Sequence, residues 1–302
     1  MKHELSSKGL MWINVQSPGP EELVEFMRAT ELTPTDAGFV AERHHRPEIT
    51  VRGGYLLFLI QVPVFDRQAR VTYGVPVFFI VKQQQLFTLH HEPLVILDKI
   101  RQSFESSLDK QEEYFGDEAL SLCLHIITLL NEAAFHKLER LAKHIDIAED
   151  AVFQGNERKM VEEISVLTRD VMDFRKVIRP HTRLFATVPH HALITPAVII
   201  TWHRTQGKLL KMWETLESMF ESVRELSNTN YMLIQHKQNE LLRLLTIYSI
   251  VVIPMLVLVE PFFDPRAIDS TVVDHVVFWV VIGLLVMTLL FILLKASRKR
   301  LL

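Results

Sequence analysis

Residues 241–259 read LLRLLTIYSIVVIPMLVLV, and residues 276–294 read VVFWVVIGLLVMTLLFILL. Each run is 19 residues long; the first holds one charge, Arg243 near its start, and the second holds none. At about 1.5 Å of rise per residue, a helix of that length covers roughly 28 Å, close to the hydrocarbon thickness of a bilayer. Buried helices of soluble domains are seldom so long and unbroken, so both runs are predicted to be transmembrane helices. Only a short link separates them, which makes a hairpin and puts both outer flanks on one side. The tail KASRKRLL, 295–302, is rich in Lys and Arg, and Arg243 flanks the first run. The positive-inside rule therefore places both termini in the cytoplasm. The link itself, EPFFDPRAIDSTVVDH at 260–275, sets Glu260, Asp264, Asp269 and Asp274 against Arg266 and falls on the outer side.

The rest of the chain has the composition of a soluble protein. Of 302 residues 23% are charged, the net charge is -3, and the basic residues are dispersed, so nothing points to nucleic acid as a partner. The one cysteine, Cys123, allows no intramolecular disulfide and fits a reducing compartment. The start, MKHELSSKGLMWINV, has no apolar core of a secretory signal. No GxxxxGK[ST], HExxH, GxSxG or GxGxxG motif is present, so the chain is not expected to be an enzyme.

Residues 1–116 read as an α/β domain. MWINV is a short strand ended by Ser17, Pro18, Gly19 and Pro20, and 21–28 has helical spacing. YLLFLIQVPVF and VPVFFIVKQQQLFTLH are strand-like runs, with Tyr73 and Gly74 as a turn signal in their connection, and 94–104 follows as a helix. From 117 to 240 the character is helical. One helix is predicted over 118–153, stopping at Gly155 and Asn156, and a second over 157–179, terminated by Pro180. After a Pro- and His-rich link, Thr195 and Pro196 have the look of an N-cap and first helical position, and no firm stop follows until Pro261. A continuous helix of roughly 64 residues extends on the order of 95 Å and needs partners, from its own chain or from copies of it. Trp213, Leu216, Phe220, Val223 and Ser227 form a stripe suited to that contact.

This layout, together with particular stretches, resembles the CorA family of divalent cation channels. SNTNYMLIQHKQNELLRLLTIYSIVVIP is similar to that family's pore entrance, through Asn239, Arg243, Leu245, Thr246, Ile247 and Pro254. VPVFFIVKQQQLFTLH resembles its paired strand, RPEITVRGGYLLFLI the strand before it, and DVMDFRKVIRPHTRLF its stalk helix pair. The resemblance implies an α/β cytoplasmic domain (1–116), a long-helix stalk or funnel (117–240) and a two-helix transmembrane hairpin. The hairpin comprises a first span (241–259), an extracytoplasmic loop (260–275) and a second span (276–294), followed by a basic cytoplasmic tail (295–302). It also implies a homopentamer, multi-pass in the inner membrane of the cell, with the lipid bilayer as its surroundings. One departure matters. The family's Gly-Met-Asn triplet at the end of the first span is missing, and Phe263, Asp264 and Pro265 stand in its place.

If copies bring their first spans together, the stripe facing the axis is Asn239, Leu242, Thr246, Ser249, Ile253, Leu256 and Glu260, in steps of three and four. From the cytoplasm outward that is a polar collar, an apolar ring, two hydroxyl rings, two apolar rings and an acid. Apolar rings can gate by dewetting, while hydroxyl and carboxylate rings can hold a cation with its water shell. Glu260 is the candidate metal ligand, and Asp264, Asp269 and Asp274 of the outer-mouth loop would concentrate cations. The histidine pairs 44–45, 90–91 and 190–191 are read as solvated polar residues, because sequence neighbours on a strand point in different directions. His125, His136 and His144, with Asp117, Glu118 or Glu132, are candidates for a regulatory metal site between subunits.

The reading is membrane transport of divalent metal cations through an axial pore, Mg2+ or a transition metal such as Zn2+, Co2+ or Ni2+. No cofactor is implied; divalent cations enter as substrate and as a candidate regulatory ligand. The alternative is a membrane scaffold or sensor, non-conducting or non-selective, that has lost the ion-selecting motif.

Overall fold

The structure, a computed structural model, describes residues 2–42, 46–66 and 71–259, with positions 279, 280, 282, 283, 286 and 287 of the second apolar run. The chain divides into two compact units, Met1–Asn230 and Tyr231–Leu302. The first contains strands β1 (Lys2–Ser7), β2 (Leu10–Gln16), β3 (Glu48–Val51), β4 (Leu56–Asp66), β5 (Val71–Val81) and β6 (Gln85–His90). Its helices are α1 (Pro20–Thr30), α2 (Pro34–Ala41), α3 (Val95–Ser106), α4 (Leu108–Phe115), α5 (Ala119–Phe153) and α6 (Glu157–Leu184), together with the first part of α7 (Pro196–Val259). The strands form one sheet in the order β1-β2-β6-β5-β4-β3. Only β2 and β6 pair in parallel; the other neighbours are antiparallel.

Helices cover both faces of this sheet, which is why its central strands read as near-continuous apolar runs. Phe58, Ile60, Val77 and Phe79 point into a core shared with α3, α5 and the start of α7. Leu57, Leu59, Phe78 and Ile80 point into the opposite core with Phe26 of α1 and Val40 of α2. By length and composition α5 could cross a membrane, but 67% of its most apolar stretch is buried within the protein. It is the central core helix of this unit.

Two sequence expectations change here. The turn expected at Tyr73 and Gly74 lies inside β5, where Gly74 pairs with Pro63. Glycine is needed there for space: a Cβ at position 74 would lie 2.9 Å from the Cβ of Gln61. The run VPVFFIVKQQQLFTLH is instead broken after Val81 by a turn closed by the Lys82 N–H donating to the Gln85 carbonyl at 2.9 Å. The second difference is α6, which does not end at Pro180 but continues to Leu184. What holds this last turn is tertiary. His181 is buried, and Phe185 after the helix end packs on Trp202 with ring centroids 5.0 Å apart.

His181 also explains how the sheet edge is closed. β3 pairs with β4 only as far as Leu59, which leaves the next backbone groups of β4 without a strand partner on that side. The Gln61 N–H donates to His181 Nε2 at 2.9 Å, and Lys137 Nζ of α5 donates to the Pro63 carbonyl at 2.7 Å. Two helix side chains thus do the work of a missing strand, and Pro63 has no N–H to satisfy.

The buried stripe of α7 in this unit is Val198, Trp202, Thr205, Leu209, Met212, Leu216, Met219, Val223, Leu226 and Asn230. Its alternating steps of four and three are a heptad repeat, the spacing for knobs-into-holes packing on neighbouring helices. Leu216 and Val223 were expected on this stripe. Trp213 and Phe220 lie on its flank, half-buried, and Ser227 is exposed. The neighbours come from the same chain: Thr205 shares a hydrogen bond of 2.9 Å with Thr128 of α5, and Arg175 of α6 reaches Glu217.

Candidate functional site

Asn239, Leu242, Thr246, Ser249, Ile253 and Leu256 all lie on α7. At about 100° per residue they fall within an arc of about 100°, so they share one face of the helix. Glu260, Asp264, Asp269 and Asp274 lie outside the described residues, as do His44, His45 and Phe263–Pro265. Of the second apolar run, the described positions are helical, with Trp279, Val280, Val286 and Met287 exposed.

Around this face, the 241–253 stretch of α7 is apolar apart from Arg243. Leu241, Leu242, Leu244, Leu245, Tyr248, Ile250 and Ile253 are each between 58% and 63% exposed. A stretch of helix so largely apolar and so exposed calls for lipid or partner protein around it. The two hydroxyls behave accordingly. Thr246 Oγ1 donates to the Leu242 carbonyl at 2.8 Å, and Ser249 Oγ donates to the Leu245 carbonyl at 2.9 Å. Each hydroxyl proton is satisfied within the helix, and each oxygen keeps its lone pairs for a donor such as a cation's water.

Within the single chain, several histidines and acids of the first unit have partners of their own. Glu118 accepts from the Thr195 hydroxyl at 2.8 Å, at the start of α7, where a carboxylate also favours the positive end of the helix. Glu132 pairs with Lys208, His125 Nδ1 meets the Tyr114 carbonyl at 2.8 Å, and His136 pairs with Glu139 at 3.1 Å. Among the described residues, no three His, Cys, Asp or Glu side chains converge to hold a metal. The paired histidines are not all solvated. His90 is fully buried with Nδ1 2.6 Å from the Glu92 carbonyl, and burial pushes its pKa down. His91 and His191 reach the carbonyls of Val40 and Arg52 at 3.0 and 2.7 Å, so the first ties the residue after β6 to α2 and the second ties the loop before α7 to the β3–β4 turn.

One polar cluster gave no sequence signal. Asp36, in the first turn of α2, accepts from Arg52 Nε and Nη2 at 2.8 and 2.7 Å and from the Tyr55 hydroxyl at 2.5 Å. The Arg52 hydrogen bond, followed by those of Tyr55 and Thr33, outweighs burial and lowers its pKa to about 2.

An α/β sheet unit followed in the chain by one long helix, whose 241–253 stretch is largely apolar and exposed, is the make-up of a protein that meets a membrane. The chain matches the CorA-like Mg2+ transporter protein family over residues 7–259, and it belongs to that family of divalent cation transporters. It is 21% identical over 252 residues, 81% of this chain and 70% of that protein, to the cobalt/magnesium transport protein CorA of Thermotoga maritima. Its fold is similar to the complete structure of the CorA magnesium transporter from Methanocaldococcus jannaschii, with a TM-score of 0.78 and 17% identity over 96% of this chain and 90% of that one. It is also similar to the ZntB cytoplasmic domain from Vibrio parahaemolyticus, with a TM-score of 0.54 and 13% identity over 76% of this chain and 88% of that one.

Proposed function

We propose that copies of this chain, five by analogy with the family, assemble in the inner membrane around the 239–256 face of α7 and pass divalent cations along it. Both termini then lie in the cytoplasm. The observation that carries the reading is the pairing, on one exposed stretch of helix, of largely apolar remaining sides with a face that holds two hydroxyls and an amide. The apolar sides suit lipid and neighbouring copies. The hydroxyl oxygens suit the water shell that Mg2+ gives up reluctantly. Glu260 and the acids at 264, 269 and 274 supply the negative mouth that would concentrate cations in place of the Gly-Met-Asn amide.

The relatives named as magnesium and cobalt/magnesium transporters make Mg2+ and Co2+ the first ions to test, with Ni2+ and Zn2+ beside them. Purified protein in sealed liposomes should take up at least one of these ions saturably, and Glu260→Ala should weaken that uptake. The missing triplet favours one second reading, a scaffold or sensor of the same architecture. Absence of flux for all four ions from a demonstrably intact oligomer would establish that reading and reject transport.

A further inference from the structure

At one end of the sheet, two hairpin turns border a shared cavity of about 860 Å³. Residues 52–55 join β3 to β4, and residues 82–84 join β5 to β6, whose first residue Gln85 completes the second turn. Each turn is closed in the same way, by the N–H of its first residue donating to the carbonyl of its fourth, at 3.0 Å for Arg52 to Tyr55 and 2.9 Å for Lys82 to Gln85. Each begins with a cation, and each cation is tied to an acid near the α1–α2 junction: Arg52 to Asp36, and Lys82 to Glu31 at 2.7 Å. His191 closes the groove from the loop before α7. Its Nδ1 accepts from the Leu193 N–H at 3.2 Å, so Nε2 carries the proton that it donates to the Arg52 carbonyl.

The two acids are not equivalent. Asp36 is 4% exposed, has both oxygens engaged, and does not line the groove. Arg52 gives it Nε and Nη2, which leaves Nη1. Glu31 does line the groove, but its side chain is 80% exposed while that of Lys82 is only 18% exposed. The cation is fixed by the fold, and its acid partner sits on the solvent side, where an ion pair is weakly held. Gly53 and Gly54 add a second observation. Neither has positive φ, and a Cβ built on either would meet nothing within 4 Å. Neither a positive φ nor close packing asks for glycine here; two glycines in a row do leave the backbone open to close approach.

We propose that this groove binds a small phosphate-bearing anion, held by Lys82 Nζ, Arg52 Nη1 and the backbone N–H groups of Gly53 and Gly54, with Glu31 displaced from Lys82. A phosphate brings more charge and more acceptor oxygens than the single carboxylate it replaces, so it can engage both turns at once. The exposed amides of Gln83 and Gln84 stand beside it for the remainder of the ligand, for which the cavity has room. The assignment is independent of transport and is tested by binding alone.

Calorimetric titration of the full-length protein in detergent would use pyrophosphate as a free anion and glycerol 3-phosphate as an organic phosphate, against chloride at matched ionic strength. At least one probe should bind above the chloride control. Lys82→Gln should weaken it by about tenfold or more, and Glu31→Gln, which removes the internal competitor, should tighten it several-fold. Which probe binds better tells whether the site takes the free anion or an ester. No binding above chloride, or binding that both variants leave unchanged, would overturn the proposal. Both positions are on a hairpin tip or helix end, and matching melting curves would show that the variants are folded.

Discussion

A β-carbon at position 74 would come within 2.9 Å of the Cβ of Gln61, an atom that cannot swing away as a side-chain tip can. Gly74→Ala is therefore expected to cost about 1–3 kcal/mol, the usual range for overpacking, and to lower the unfolding midpoint in a thermal melt. An unchanged midpoint would show that the strand yields freely. His181 carries a prediction of a different kind. Burial pushes its pKa down to about 4 from 6.5, so the folded state keeps the ring neutral while the unfolded state takes up a proton below pH 6.5. Its contribution is complete above pH 6.5 and is lost as pH falls from there to about 4, by an amount on the order of 3 kcal/mol. His181→Gln keeps an acceptor for the Gln61 N–H without the titration, so its stability should fall less between pH 6.5 and 4 than that of the parent protein. Equal slopes in that window would remove His181 from the account. Asp36, with its pKa lowered to about 2, acts in a separate window, its stabilisation lost only as pH drops below the ordinary value of 3.8. None of these roles was legible in the sequence, because each depends on a partner far along the chain: 13 positions for Gly74 and Gln61, and 120 for Gln61 and His181.

Helices were easier to read than their ends. The heptad on α7 was visible in part, since Leu216 and Val223 were placed correctly, but which flank faces its own chain depends on where α5 and α6 pack. Pro180 looked like a terminator because proline removes a backbone donor, yet burial of His181 and Phe185 on the far side outweighs that loss. The union of α6 and α7 has a clear centre. Arg175 Nη2 and Nε donate to Glu217 at 2.6 and 3.1 Å, while its guanidinium lies 4.1 Å from the Phe220 ring centroid and 5.5 Å from that of Trp213. The fork and the ring face need a planar guanidinium, so Arg175→Lys should recover little of what Arg175→Ala loses. Both variants are expected to destabilise the protein by about 1–3 kcal/mol in a denaturant melt. Full recovery by lysine would mean that charge alone holds the pair.

At the scale of the molecule, the α/β layer and the long helix followed from period and composition, because apolar alternation and an uninterrupted helical run are local signals. The sheet order did not, since placing β2 beside β6 requires knowing which strands the intervening helices separate. The stripe 239–256 was legible as one face of a helix because its spacing is local, whereas the function proposed for that face would depend on neighbouring copies, which no local signal describes. Thr246 and Ser249 are the residues through which the central claim is most exposed. The most direct measurement is uptake of Mg2+ and Co2+ into liposomes containing the purified oligomer, comparing the parent protein with Thr246→Val and Ser249→Ala. Saturable uptake by the parent is expected, with a reduction of about tenfold or more in both variants, as when polar ligands along an ion path are lost. Uptake that the two substitutions leave unchanged, or no uptake by an intact parent oligomer, would contradict that claim.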